Sequence, residues 1–286
     1  MSLTKTFKMK NLNFQDDIKS AEKLIKIGYS TIAVDKYYVD IAKMTAEFFR
    51  KFTLLPKEMK KPWEFDIGLF GKPDTGYLRR DDKEAKHFLH HHHMLKELLA
   101  HRNVMYREFR PFLECLNSVH RYTEERVREF AKALDVVLPG YNFAERLSSY
   151  EALMQSVLRI LQYDHCRVEL QETAEAHEDQ SLLTLPFYET HKGLYLGNAE
   201  NLYEPEDSRA LIFPGKKMQL VTGGVETIIE KDGYNIPKIT GGIISALTHG
   251  VVSLPSFYGD DYERQSCVLF THDPATVLTP KTLIAI

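Results

Sequence analysis

The sequence predicts an α+β chain with a mainly-β core: a helical N-terminal half packed against a C-terminal half of the jelly-roll kind. Three observations predict this. Apolar residues recur at helical spacing through much of residues 1–150. Short runs rich in β-branched and aromatic residues, separated by turn residues, fill 151–286. No Gly/Ser-rich or Pro-rich joint divides the halves, so one domain over 1–286 is expected.

The elements follow in order. Residues 35–51 read as a helix, with Ile41, Met44, Phe48 and Phe49 on one face and Asp35 as its N-cap. A second helical stretch is expected over 83–102. A longer one over 104–137 stops before Pro139-Gly140. Beyond residue 150 the strand-like runs are SVLRILQY, SLLTLPFY, GLYLG, ALIFP, MQLVTG, VETIIE, GIISALTH and QSCVLFTH. Such a sheet needs its outer face covered, and the N-terminal helices are the candidates.

Composition excludes several classes. Of 286 residues, 43% are hydrophobic and 27% charged, enough to bury a core and unlike a disordered chain. Lys plus Arg number 37 against 40 Asp plus Glu, so the net charge of -3 gives no electrostatic case for nucleic acid or an anionic membrane. No apolar run reaches the roughly 18 residues a membrane span needs. The N-terminal MSLTKTFKMKNLNF lacks the apolar stretch of a secretory signal. Cys115, Cys166 and Cys267 are odd in number and far apart, which reads as a reduced cytoplasmic protein without a disulfide framework.

The chemistry-bearing residues fall in the β-rich half. In Ala176-His177-Glu178-Asp179, a strand would turn His177 and Asp179 to one side. His249 ends a second β-like run, 243–249. Two imidazoles and one carboxylate on one face of a divalent metal leave the opposite positions open, a donor set suited to non-haem Fe(II). Arg264 and Ser266, again two apart, form a clamp suited to a carboxylate. Taken singly, each piece is better read as a surface or core residue without a ligand.

Together and in this order, His177, Asp179, His249, Arg264 and Ser266 resemble the isopenicillin N synthase-like family of Fe(II)/2-oxoglutarate-dependent oxygenases, whose pattern is H-x-D, a long gap, H, then R-x-S. Weaker matches extend the resemblance over about 240 residues: Gly28-Tyr29, Phe48-Phe49, Leu55-Pro56, Lys60, Gly76-Tyr77, Lys83-Glu84, the run Ser156 to Tyr163, Ser181 to Leu185, and Gly193-Leu194. The sequence departs from the pattern at Gly250 (Arg is usual), Lys216 (Asp) and Leu161 (Asn). It also has a longer gap before His249, with the excess expected in 225–238.

The resemblance implies a double-stranded β-helix with the metal in its mouth. It also implies Fe(II) on His177, Asp179 and His249, and 2-oxoglutarate as cosubstrate with its far carboxylate on Arg264 and Ser266 and Tyr163 as a further donor. O2, a small-molecule substrate, and succinate and CO2 as coproducts complete what it implies. Alternatives are an Fe(II) oxidase or cyclase of the same family that does not use 2-oxoglutarate, a jelly-roll binding module with a structural metal, and a zinc hydrolase on the same ligands.

Other residues read more plainly. His87 and His90–His93 suggest a polar helix start or exposed turn. Trp63 suggests core, and Arg79-Arg80-Asp81-Asp82 a solvated charge run within reach of a substrate carboxylate. The cysteines suggest buried structural thiols.

Overall fold

The computed structural model describes residues 12–64, 75–80, 86–92, 95, 99, 106–163, 168–231, 234–259, 263–280 and 282–283. The helices of the N-terminal half begin with α1 (Phe14–Ile27) and α2 (Lys36–Thr53). Asp35 caps α2 as expected, its side chain accepting from the Tyr37 amide at 2.9 Å. Ile41 and Phe49 of α2 are buried, whereas Met44 turns outward and is 52% exposed. A short helix α3 (Lys57–Lys60) and a 3-10 turn (Lys61–Trp63) lead to Trp63, buried edge-on against Phe52 and Phe109. The long α4 (Tyr106–Val137) ends at Pro139-Gly140, and α5 (Phe143–Ser148) and α6 (Tyr150–Gln155) follow. Arg126 of α4, fully buried, bonds Asp17 of α1 and the Ala33 carbonyl, fastening three elements with one guanidinium.

The N-terminal half is less helical than its composition suggests. It supplies β1 (Ser30–Ala33), β2 (Gly76–Arg80) and β3 (Lys86–His91). The expectation of a helix from residue 83 is therefore wrong at its start. His87 and His91 are buried strand residues, not a helix start or exposed turn. The segment faces other elements on both sides, so it carries none of the polar–apolar alternation that marks a half-exposed strand.

The C-terminal half adds β4 (Val157–Tyr163), β5 (Glu172–His177), β6 (Leu183–Glu189), β7 (Leu194–Leu196), β8 (Arg209–Pro214), helix α7 (Lys216–Val221), β9 (Gly224–Lys231), β10 (Tyr234–Gly241), β11 (His249–Val252), helix α8 (Pro255–Tyr258), β12 (Arg264–Phe270) and β13 (Thr282–Leu283). Two of the expected strands differ. MQLVTG forms α7, a short apolar run being ambiguous between helix and strand. Residues 242–248 are irregular, so His249 opens a strand rather than closing one.

Seven strands form an antiparallel sheet in the order β1-β8-β6-β12-β4-β3-β2, faced by a smaller sheet β5-β11-β7. A third sheet, β13-β10-β9, contains the segment 225–238 as a hairpin. The large sheet is buried on both faces. On β4, Leu158 and Ile160 point to the helices while Leu161 and Tyr163 point between the sheets. On β12, Gln265 donates to the Ala46 carbonyl of α2, so Arg264 and Ser266 take the inner face. Cys115 and Cys267 are buried free thiols, and Cys166 lies outside the described residues. Among the described residues no helix is long and apolar enough to cross a membrane.

Candidate metal centre and its cavity

Strand β5 ends at His177, and the chain turns so that Asp179 follows it into the interior. Strand β11 begins at His249, directly opposite His177 in an antiparallel pair. The three side chains meet here, but not by strand alternation, since Asp179 lies beyond the strand end. The imidazole centroids are 4.5 Å apart. Nε2 of His177 is 3.6 Å from one Asp179 oxygen, and Nε2 of His249 is 3.5 Å from the other. One donor atom from each residue lies within 4.8 Å of the others, and this is the one such group of three among the described residues.

Both imidazoles are oriented alike. Nδ1–H of His177 donates to the Glu175 carbonyl at 2.7 Å, and Nδ1–H of His249 to the Leu247 carbonyl at 3.1 Å. These bonds occupy each Nδ1 and turn each Nε2 toward Asp179, the orientation a metal ligand requires. Oδ2 of Asp179 accepts from Thr184 Oγ1 at 2.8 Å, which Ser181 braces at 2.7 Å. Burial by itself raises the Asp179 pKa, but the His177 hydrogen bond, the two imidazoles and Thr184 together hold it below its ordinary value. The Asp179 hydrogen bond raises the His177 pKa, while burial lowers that of His249. An ionised carboxylate with two aimed imidazole nitrogens, and no thiolate, fits Fe(II).

Two departures from the family pattern have local causes. A Cβ at Gly250 would lie 2.5 Å from Cζ of Tyr195, whose hydroxyl donates to Glu172 at 2.6 Å across the small sheet. Where the pattern has Arg, this chain has a tyrosine ring instead. Gly250→Arg is therefore expected to destabilise the protein by about 3 kcal/mol, in the range of overpacking, and a thermal melt would check it. At Lys216 the ammonium faces Glu178 at 3.7 Å, and its amide donates to the Asp179 carbonyl at 2.7 Å. A Cβ at Gly215 would press on Ser181 Oγ at 2.6 Å, so glycine lets this chain segment approach the Asp179 turn.

The triad lies in the wall of an open cavity of about 550 Å³ between the two sheets, within the range of small-molecule sites. Arg264, Ser266 and Tyr163 line the same cavity from the large sheet. Tyr163 is the register partner of Arg264, whose guanidinium stands 5.2 Å from its ring centre, and Lys86 is its register partner on the other side, 5.4 Å away. Gly193, at φ +148°, packs against Arg264: a Cβ there would lie 3.3 Å from Cδ.

Sequence reasoning missed Glu189. Its Oε1 bonds Arg264, and both side chains are nearly fully buried, 3% and 2% exposed. Its Oε2 is buried with no hydrogen-bond partner among the described residues. Burial raises the Glu189 pKa more than Arg264 lowers it. Alternation from Thr184 and Pro186 would send Glu189 toward the helices. A bulge in β6 against Cys267 and Val268 turns it inward, opposite Ser266. Lys86, His90 and Arg159 also line the cavity. The inward face of β4, once Tyr163 is placed, was the available signal for Arg159. Arg80 lies on the rim, over the Phe88 ring at 5.5 Å, while Asp81 and Asp82 lie outside the described residues.

No family model matches the sequence, and no curated protein matches it. Solved structures do match. One is a Caulobacter crescentus protein assigned to the 2OG-Fe(II) oxygenase family (TM-score 0.65, 18% identity, 91% of this chain and 82% of that one). Another is a Neurospora crassa protein solved in complex with alpha-KG and 5-formyluracil (0.63, 16%, 96% and 88%). A third is the rice dioxygenase for auxin oxidation (0.62, 12%, 94% and 87%). At these identities the likeness is one of fold, and it spans nearly the whole chain: this protein has the jelly-roll architecture of the 2OG-Fe(II) oxygenases.

Proposed function

We propose that this protein is a non-haem Fe(II) oxygenase that uses 2-oxoglutarate and O2 to hydroxylate or desaturate a small molecule, releasing succinate and CO2. The observation that carries the reading is the convergence of two oriented imidazoles and an ionised carboxylate on a cavity whose opposite wall presents Arg264 and Ser266. His177, Asp179 and His249 would hold the metal on one face. When bound, Fe(II) would supply the O2 and electron chemistry that side chains lack. The chain's own work is placement. Arg264 and Ser266 would meet the far carboxylate of 2-oxoglutarate, Tyr163 would support them, and Phe213, tilted against His249 with ring centres 4.6 Å apart, would keep water from that flank.

One observation favours a second reading. Because Arg264 already bonds Glu189, its charge is partly spoken for, as it would be in an Fe(II) oxidase of the same fold that does not use 2-oxoglutarate. An anaerobic titration with Fe(II) and then 2-oxoglutarate separates the two. The expected result is the visible charge-transfer band of a chelated keto acid, absent in His177→Ala. Iron bound without a band would establish the second reading. No site-specific metal would return the protein to the binding modules.

A further inference from the structure

Two hydroxyls stand behind the carboxylate of Asp179. Thr184 lies on β6, paired with Phe213 of β8 on one side and Phe270 of β12 on the other, so the large sheet fixes its place. Ser181 lies in the segment that joins Asp179 to β6. Each is only 1% exposed. Thr184 Oγ1 is 2.8 Å from Oδ2 of Asp179 and 2.7 Å from Ser181 Oγ. We propose that Ser181 and Thr184 form a directed relay that holds Asp179 to one metal bond, through Oδ1, and so keeps three coordination positions open. Both are positioning residues that act through Asp179. The proposal rests on the functional reading above and adds how its carboxylate binds.

The direction of the relay follows from a proton count. A threonine hydroxyl carries one proton, and an ionised carboxylate has none to give. The Thr184 proton therefore goes to Asp179, and the bond between the two hydroxyls uses the proton of Ser181. A hydroxyl that accepts one hydrogen bond donates the next more strongly, so Ser181 strengthens the grip on the carboxylate.

The relay makes the two carboxylate oxygens unlike. Each stands before an imidazole Nε2, Oδ1 at 3.6 Å from His177 and Oδ2 at 3.5 Å from His249, so distance to the histidines does not choose between them. The hydrogen bond does. Oδ2 has charge drawn toward Thr184, whereas Oδ1 accepts from no hydroxyl or amide among the described residues. The backbone around the relay is pinned as well. Amides of Gly215, Lys216 and Lys217 donate to the carbonyls of Leu182, Asp179 and Ser181 at 3.1, 2.7 and 3.2 Å. Asp179 is thus not free to turn both oxygens equally toward a metal.

Coordination number gives this a consequence. Three protein bonds to an octahedral ion leave three positions open, and a fourth bond from Oδ2 would leave two. A chelating 2-oxo acid takes two. Only the single carboxylate bond leaves a further position, which turnover with O2 requires.

The test compares the wild type with Thr184→Val, Thr184→Ser and Ser181→Ala, each carrying 13C-labelled aspartate and loaded with Fe(II) under argon. The infrared difference between iron-loaded and metal-free protein reads the carboxylate, whose two C–O stretches lie far apart for one metal bond and close together for two. The wild type is expected to show the wide splitting, Thr184→Val the narrow one, and Thr184→Ser, which keeps the hydroxyl, the wide one again. In Thr184→Val, O2 uptake at saturating 2-oxoglutarate should fall by about 10-fold or more, with half-saturating 2-oxoglutarate unchanged. Ser181→Ala, which leaves the Thr184 bond in place, should lower it by less. Thr184→Ala, lacking the same hydroxyl, replaces Thr184→Val should a thermal melt show the latter unfolded. A narrow splitting in the wild type overturns the proposal, as does a splitting or an O2 uptake unchanged by loss of the Thr184 hydroxyl. A wild type that binds no iron at Asp179 would overturn the functional reading instead.

Discussion

Asp179→Ala is expected to abolish Fe(II)-dependent O2 consumption and to weaken metal binding by well over 100-fold. The bound is set by comparison: loss of groups that only orient metal ligands already costs 10–100-fold. Asp179 supplies the sole carboxylate of the triad, lies 3.5–3.6 Å from both imidazole Nε2 atoms, and takes the Thr184 hydrogen bond. Its removal leaves two neutral donors and a hydroxyl without its acceptor. Equilibrium dialysis with Fe(II) under argon reads the metal, and an oxygen electrode reads the turnover. Unchanged O2 uptake would take the triad out of the chemistry.

Arg264→Ala is expected to raise the 2-oxoglutarate requirement about 100-fold and to destabilise the fold by about 3–5 kcal/mol. The two effects have different origins. The first is loss of the cation that would meet the cosubstrate's far carboxylate. The second arises because Glu189, buried beside it, keeps a carboxyl with no cation to bond. The double variant Arg264→Ala, Glu189→Gln should recover much of the stability and none of the affinity. A chemical melt and a 2-oxoglutarate titration, run on the same three proteins, separate the terms. The Glu189 pKa is raised, mainly by burial, which fixes the sign of the pH dependence. Below that pKa the carboxyl is neutral, leaves the guanidinium charge available and presents a proton to a ligand carboxylate. Above it, Glu189 is an anion competing for Arg264. Affinity for 2-oxoglutarate should therefore fall as pH rises through this pKa in the wild type, and Glu189→Gln should flatten the profile and bind more tightly at high pH.

The group of His177, Asp179 and His249 was legible because its residue types are chemically narrow and ordered along the chain, so the three stand out with no knowledge of contacts, and their donor atoms do converge. That Arg264 and Ser266 share one face was legible from strand alternation, and both line the cavity. Glu189 was not, because its inward direction comes from a bulge in β6 that exists only against β12. The strand at Lys86–His91 was not either. A run of histidines has no period of its own, and its pairing partners at residues 158–163 are far along the chain.

The sequence by itself determined the helical cap at Asp35, the end of the long helix at Pro139-Gly140, the inward positions of β4 and β12, and the donor set of the site. Those properties are local: a dihedral preference, a missing amide, a two-residue period, the chemistry of a side chain. Tertiary structure alone decided that His249 sits opposite His177, that Tyr195 and the Ala174 carbonyl crowd the space a side chain at Gly250 would need, that Arg264 is bonded to Glu189, and that Arg159 is paired between Val268 and His90 in the cavity wall. Each of these is a pairing between distant segments, fixed by sheet register and by the exclusion of one atom by another. No local pattern along the chain encodes such pairings.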